Sequence, residues 1–420
     1  MSKVQCSIPG AILQWALRLL SVFALAAWTP AAAQTISVDS VPPYKSLGFI
    51  TGSTSGIDPN THHVAVYIQI EGAGWWTKPT SMNPTVPIDA SGNFVANVGT
   101  GGGGSLDSRA TIFCAALLPD SVAPPVAAGA GRIPASLAPL AIDCHERFGR
   151  IISFAGFDWA VKESNLPAGP GPNLFSDRVE DVFVDEDGLH LRIAEVAGVW
   201  VSTEVILLSH MGYGTYSVQT DSELDDLDVS SVFGVFLWDS YGDDDRVPGG
   251  PNREIDFEDS RWMNALDPTN AQMVVQPYTN PDNLRRYTIP DLASDSALTR
   301  FFTWLPGSIH FVALRGHHSP LSFPGNDVID EYVYLHAPPA NHVPSQGRER
   351  LRLNLWLNGG APQPAGGQPV EVVVTDVVFL PEPSRELLIF SGTLLLCLLA
   401  RGRRARAGGS ATPPCLARGA

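Results

Sequence analysis

Short runs of alternating apolar and polar residues, broken by Gly, Pro, Asn or Asp, fill this chain from residue 35 to residue 380. "HVAVYIQI" (residues 63–70), "GNFVANVGT" (92–100), "GLHLRIAEV" (188–196) and "RLRLNLWL" (350–357) are examples. A period of two is what a strand with one buried face requires. No long segment carries the 3.6-residue apolar period of a helix. The chain is therefore expected to be all-β. Its 420 residues and 44% hydrophobic content supply a sizeable core. Abundant Gly (39) and Pro (35) suit a loop-rich, exported protein.

Two regimes divide the body. Residues 35–145 are expected to form a small, immunoglobulin-like β-sandwich. Its stretch 122–141, "VAPPVAAGAGRIPASLAPLA", reads as a Pro/Ala-rich loop or linker. Residues 146–380 carry enough strands for a large two-sheet sandwich of jelly-roll type.

Both ends read as addresses. Lys3 precedes the apolar run 11–28, and Ala31 and Ala33 fit a signal-peptidase site, so residues 1–33 are expected to be a signal peptide. Pro381-Glu382-Pro383 precedes the apolar run 387–400 and then Arg401, Arg403, Arg404 and Arg406. These three parts in this order resemble the PEP-CTERM sorting signal of Gram-negative bacteria (residues 381–406), with a further tail at 407–420. That resemblance implies export through the inner membrane and processing by an exosortase-type enzyme. The destination would be the cell surface or the extracellular space, with a transient or lasting C-terminal anchor.

The net charge of −16 understates the acidity of the body, because the two ends are basic. A body this acidic repels phosphate backbones and excludes nucleic acid as a partner. Of five cysteines, only Cys114 and Cys144 lie in the body. In an oxidising compartment they can pair; two separate thiols are the alternative.

The stretch "REIDFED" (residues 253–259) concentrates the chemistry. On a strand, Glu254, Asp256 and Glu258 share one face while Ile255 and Phe257 enter the core. Like charges so close repel, and a solvated acidic face is the plain alternative to a functional one. Glycoside hydrolysis needs two carboxyl groups, about 5–5.5 Å apart in a retaining enzyme. Glu254 and Glu258 start about 13 Å apart on a straight strand. Long side chains leaning together on a curved strand close much of that gap.

The surroundings of these acids narrow the reading. Gly212-Tyr213-Gly214 with Tyr216 and Val218 precedes them; Trp304, Pro306, Ile309 and Phe311 follow, then "LNLW" at 353–356. Over residues 150–380 this order resembles glycoside hydrolase family 16, the lichenase and laminarinase group. The resemblance implies a concanavalin A-like β-jelly roll with a sugar cleft on its concave face. It implies a retaining endo-glycosidase of β-linked polysaccharide, β-glucan or galactan type. Glu254 would be the nucleophile, Asp256 its helper and Glu258 the general acid/base, on a strand without a bulge. Glu204 falls where the family has a sugar-binding Glu. The sequence departs from the family pattern at 299–303 and at Asp259, Arg261 and Trp262. A non-catalytic carbohydrate-binding surface or matrix protein is therefore kept as the alternative.

Trp238, Trp262, Tyr278 and Trp356 flank these motifs and are candidate sugar-stacking rings, with core packing as the alternative for each. Gln276 is a candidate donor to a hydroxyl. Trp75-Trp76 reads either as an aromatic platform or as one core and one surface ring. His62-His63 and His317-His318 lack partners at metal-ligand spacing and read as ordinary loop histidines. Asp185–Gly188 ("DEDG") reads as a turn. No cofactor is expected; the acidic loop 241–250 leaves room for a structural Ca²⁺. The Gly-rich 99–105 lacks a following Lys and reads as a loop, not a phosphate cradle.

Overall fold

The computed structural model describes residues 33–100, 106–242, 252–338 and 341–382. Nearly all of the expected signal peptide and of the sorting signal, and most of the loops 99–105 and 241–250, lie outside the described residues. Among the described residues there is no α-helix; strands are joined by turns and short 3₁₀ segments. None of their helices is long and apolar enough to cross a membrane.

Residues 35–146 build a small β-sandwich. A three-stranded sheet (Thr35–Ser40, Phe49–Ser55, Asn93–Asn97) faces a six-stranded one centred on His62–Ile70 and Ala110–Pro119. Val64, Val66, Ile68, Phe94, Phe113, Ala115 and Leu117 fill the space between them. Alternation then turns Ala65, Tyr67, Cys114 and Ala116 to the opposite face, which is also apolar.

The Pro/Ala-rich stretch 122–141 packs as a loop over that second face. Its Ala127 is buried; Ala130, Ile133 and Leu137 pack on the same cluster, and Tyr67 donates to Pro125 O at 2.7 Å. An apolar sheet face left in water is costly, and this segment removes it. A disulfide joins Cys114 to Cys144 on adjacent strands of this sheet. Trp75 lies in the core of this face, whereas Trp76 is partly exposed.

Residues 151–381 form two larger antiparallel sheets. One runs, in order, Ile151–Phe154, Phe157–Val161, Thr203–Leu207, Glu349–Leu357, Ser231–Asp239, Ile255–Asp259, Ala271–Val275, Leu284–Tyr287. The other runs Val182–Val184, Leu189–Val196, Val370–Pro381, Gly214–Asp221, Ala297–Leu305, Ser308–Arg315, Val328–Leu335, with Val199–Val201 paired to Leu189–Val196. A continuous core that includes Trp159, Phe257, Phe302, Trp304, Phe311 and Leu353 lies between the sheets. The architecture is an all-β sandwich of two large antiparallel sheets, of jelly-roll type. Tyr216 and Trp304, from the motifs that carry the family resemblance, are both packing residues. Tyr216 stacks on Phe302 and donates to Gly212 O, and Trp304 donates to Pro344 O.

The two sandwiches touch at several points. Glu163 of the larger one meets Arg109 at 2.5 Å, Lys45 at 3.0 Å and the Tyr44 hydroxyl at 3.2 Å, all from the smaller one. Arg350 pairs with Glu146, and Tyr241 packs on the covered face of the small sandwich.

Candidate active site

The strand Ile255–Asp259 pairs with Ser231–Asp239 on one side and Ala271–Val275 on the other, in continuous register without a bulge. Ile255 and Phe257 are buried in the core. Asp256 and Glu258, with Glu254 just before the strand, face away from that core and line a cavity of about 240 Å³.

The floor of the cavity is laid by cross-strand register. Glu258, Gly234, Asn354 and Glu204 line the cavity and stand opposite one another across four neighbouring strands, with Gln272 next in register beyond Glu258. The next lining row holds Asp256, Phe236 and Arg352. Gly234 lets Asn354 lie close over the strand: a Cβ there would come within 2.5 Å of Asn354 Oδ1 and push that side chain aside. Arg352, Asn354 and Trp356 alternate with Leu351, Leu353, Leu355 and Leu357, so "LRLNLWL" carries this face as a period-two signal.

The three carboxyls are electrostatically crowded. Among the described residues none of them makes an ion pair; the amide of Gln276 donates to Asp256 at 3.3 Å and that of Gln272 to Glu258 at 2.7 Å. Asp256 Oδ1 has no hydrogen-bond partner among these residues. Burial is the largest cause raising all three above the ordinary carboxyl range. The charge of Glu258 pushes Glu254 further up, and Arg352 and Glu204 act on it in opposite directions. Asp256 is raised by both glutamates. Glu258 is raised to about 7, its burial offset in part by Gln272 and Arg286. Burial and mutual repulsion therefore favour the protonated form of each member of the trio.

Glu204 belongs to the same cavity but is already engaged. It is fully buried between Arg352 (2.7 Å) and Lys162 (3.1 Å), and these cations hold it below its ordinary range. Trp238 and Trp356 line the cavity. Trp262 does not; it packs edge-on against Trp356, with centroids 6.1 Å apart. Tyr278 is 62% exposed and also lies outside the cavity lining. Gln276 is occupied by Asp256 and by the backbone of Tyr278, so it supports the acids rather than offering its amide freely. Cross-strand neighbours missed in the sequence are Gly234, Arg352, Asn354 and Lys162.

Two of the departures noted in the sequence, Arg300 and Asp259, are partners. Arg300, on the second sheet, reaches through the core to pair with Asp259 and donates to Thr220 Oγ1 at 3.1 Å. Both partners are buried.

Elsewhere, the tandem histidines have local partners: His63 meets Asp120 at 3.1 Å and His318 meets Asp327 at 3.0 Å. Asp185–Gly188 closes a turn, and Asp185 and Asp187 lie near His190. Both ring nitrogens of His190 are held by carboxylates, Asp185 and Glu371, each at 2.9 Å.

No protein-family model matches the sequence, and no curated protein matches it. Solved structures with a similar fold include a β-1,3-glucanase from Mycobacterium marinum. It is 19% identical, covers 53% of this chain and 90% of that one, and has a TM-score of 0.37. Another is an immunostimulatory antigen and pseudo β-1,3-glucanase of Mycobacterium tuberculosis (20% identical, 54% and 91% covered, TM-score 0.39). A third is a glycoside hydrolase family 16 endo-glucanase from Bacteroides ovatus (12% identical, 53% and 94% covered, TM-score 0.38).

Proposed function

We propose that this protein is a glycoside hydrolase that cleaves a β-linked polysaccharide, of β-glucan or galactan type, outside the inner membrane. The observation that carries the reading is one unbulged strand presenting three acids into a cavity floored by polar residues and edged by Trp238 and Trp356. Such a cavity suits a sugar, whose ring faces stack on indoles and whose hydroxyls take hydrogen bonds.

The roles follow from the chemistry of retention. An oxygen of ionised Glu254 bonds to the anomeric carbon as the glycosidic bond breaks. Glu258 gives its proton to the departing oxygen. Water then attacks the same carbon, Glu258 takes a proton from it, and the bond to Glu254 breaks. A value near 7 suits Glu258 to give and retake that proton. A proton kept on Asp256 leaves the negative charge to Glu254.

A second reading, glycan binding without turnover, has one observation in its favour. Burial and the neighbouring Glu258 push Glu254 toward its neutral form, which cannot attack. Incubation with a panel of β-glucans and galactans separates the two. Release of new reducing ends supports hydrolysis; binding without release supports the second reading. The N- and C-terminal signals support export and a sorting step, and detection of the mature protein in the extracellular or outer-surface fraction tests that part.

A further inference from the structure

The cavity is walled at one end by the other sandwich. From Glu258 the floor crosses three strand steps to Glu204, about 14 Å at ordinary strand spacing. Beyond Glu204 stands Lys162, whose backbone N–H donates to Glu204 O at 2.9 Å. There the floor stops at the hairpin turn 70–74 of the small sandwich. Glu71 Oε2 lies 3.8 Å from Lys162 Nζ, which also holds Glu204 at 3.1 Å, so one ammonium ties wall to floor. Glu71, Gly74 and Trp75 line the cavity together with Gly131 of the covering segment.

This wall is built rather than grazing. Gly72 has a φ of +74°, and a Cβ on it would come within 2.8 Å of Pro167 O and 3.0 Å of Leu166. The hairpin backbone therefore sits directly on the loop beside Lys162. Trp75 is buried, which fixes the turn from behind. The ion pairs of Glu163 with Lys45 and Arg109 hold the two sandwiches together close by.

A cleft open at both ends admits the middle of a polymer; one blocked at an end admits only a terminus on that side. We propose that the small sandwich makes this site a chain-end pocket, in which the terminus of the glycan abuts the 70–74 hairpin at Glu71 and Gly74. The wall stands about 14 Å from Glu258 at ordinary strand spacing, so short oligosaccharides would be released from one end. The proposal rests on the glycan-binding reading of the cavity and departs from the endo mode expected from the sequence.

The test uses the full chain carrying Glu254→Gln, so that binding is measured without turnover. The probes are linear β-gluco- and β-galacto-oligosaccharides, uncapped, capped with a bulky group at the reducing end, or capped at the non-reducing end. Calorimetry should show that at least one cap weakens binding by about tenfold or more. Which cap does so identifies the end that is held. Equal binding of all three forms, or of none, overturns the proposal. In Glu163→Arg the new cation faces Lys45 and Arg109; combined with Glu254→Gln, it should restore binding of the capped probe. If that variant does not fold, the comparison of caps on the parent still decides. End-selective binding with no hydrolysis by the native chain would remove the hydrolase reading and leave this one standing.

Discussion

On the cavity face of the strand Ile255–Asp259, Asp256 and Glu258 are held by amides, and no described cation pairs with them. On the core face of the same strand, Asp259 is buried against the guanidinium of Arg300. One residue of alternation separates these situations. The core-face acid has its charge matched and serves the fold. The cavity-face acids have no ion-pair partner among the described residues, and the charge of Glu258 makes both Glu254 and Asp256 harder to ionise. A protein keeps such crowding where proton transfer is useful, because it holds carboxyl groups near neutrality.

The comparison breaks most sharply through paired variants. Glu258→Gln should lower the hydrolysis rate by about 10²–10⁴-fold with the fold intact, read by reducing-end assay and thermal melting. Arg300→Leu should do the reverse, destabilising the fold by roughly 3–5 kcal/mol because Asp259 is left as an unpaired buried charge. Its activity per folded molecule should be retained, and denaturant unfolding beside a rate assay checks both. A paired loss of stability and rate in either variant would erase the distinction between the faces.

The pH dependence sharpens it further. Hydrolysis that needs the proton on Glu258 should fall as pH rises through about 7. The folded state binds that proton more tightly than the unfolded chain does, whose ordinary value is 4.5. Stability from this group is therefore full below pH 4.5 and is lost as pH rises to about 7. Glu258→Gln cannot ionise, so its melting temperature should exceed that of the wild type above pH 7 and match it below pH 4.5. The smallest expected effect is that of Gln272→Leu. Removing the amide that favours ionised Glu258 should move the alkaline limb of the pH–rate profile upward, without changing its shape.

Local patterns made much of this legible before any coordinates. Strict alternation in residues 253–259 and in "LRLNLWL" assigns side chains to faces, and faces are what a sheet preserves. What was not legible depends on meetings between distant segments. Asp259 and Arg300 read as separate departures from a family pattern; only the stacking of two sheets makes them partners. The turn 70–74 gives no local sign that it will wall a cavity nearly two hundred residues further on. The composition of 122–141 leaves loop and linker open; its apolar side chains make it a covering loop over a sheet face. Aromatic residues near a motif proved an uneven guide. Trp238 and Trp356 reach the cavity, while Trp262 and Tyr278 do not line it, because turns after a strand aim side chains that alternation cannot predict.

The central claim is that the cavity-face acids perform catalysis, and Glu254 is its most exposed point. The direct measurement is reducing-end release from the best substrate of the β-glucan and galactan panel by wild type and Glu254→Gln, at equal folded concentration. The account predicts release by the wild type and its loss by on the order of a thousandfold or more in the variant. Full activity in Glu254→Gln would contradict it.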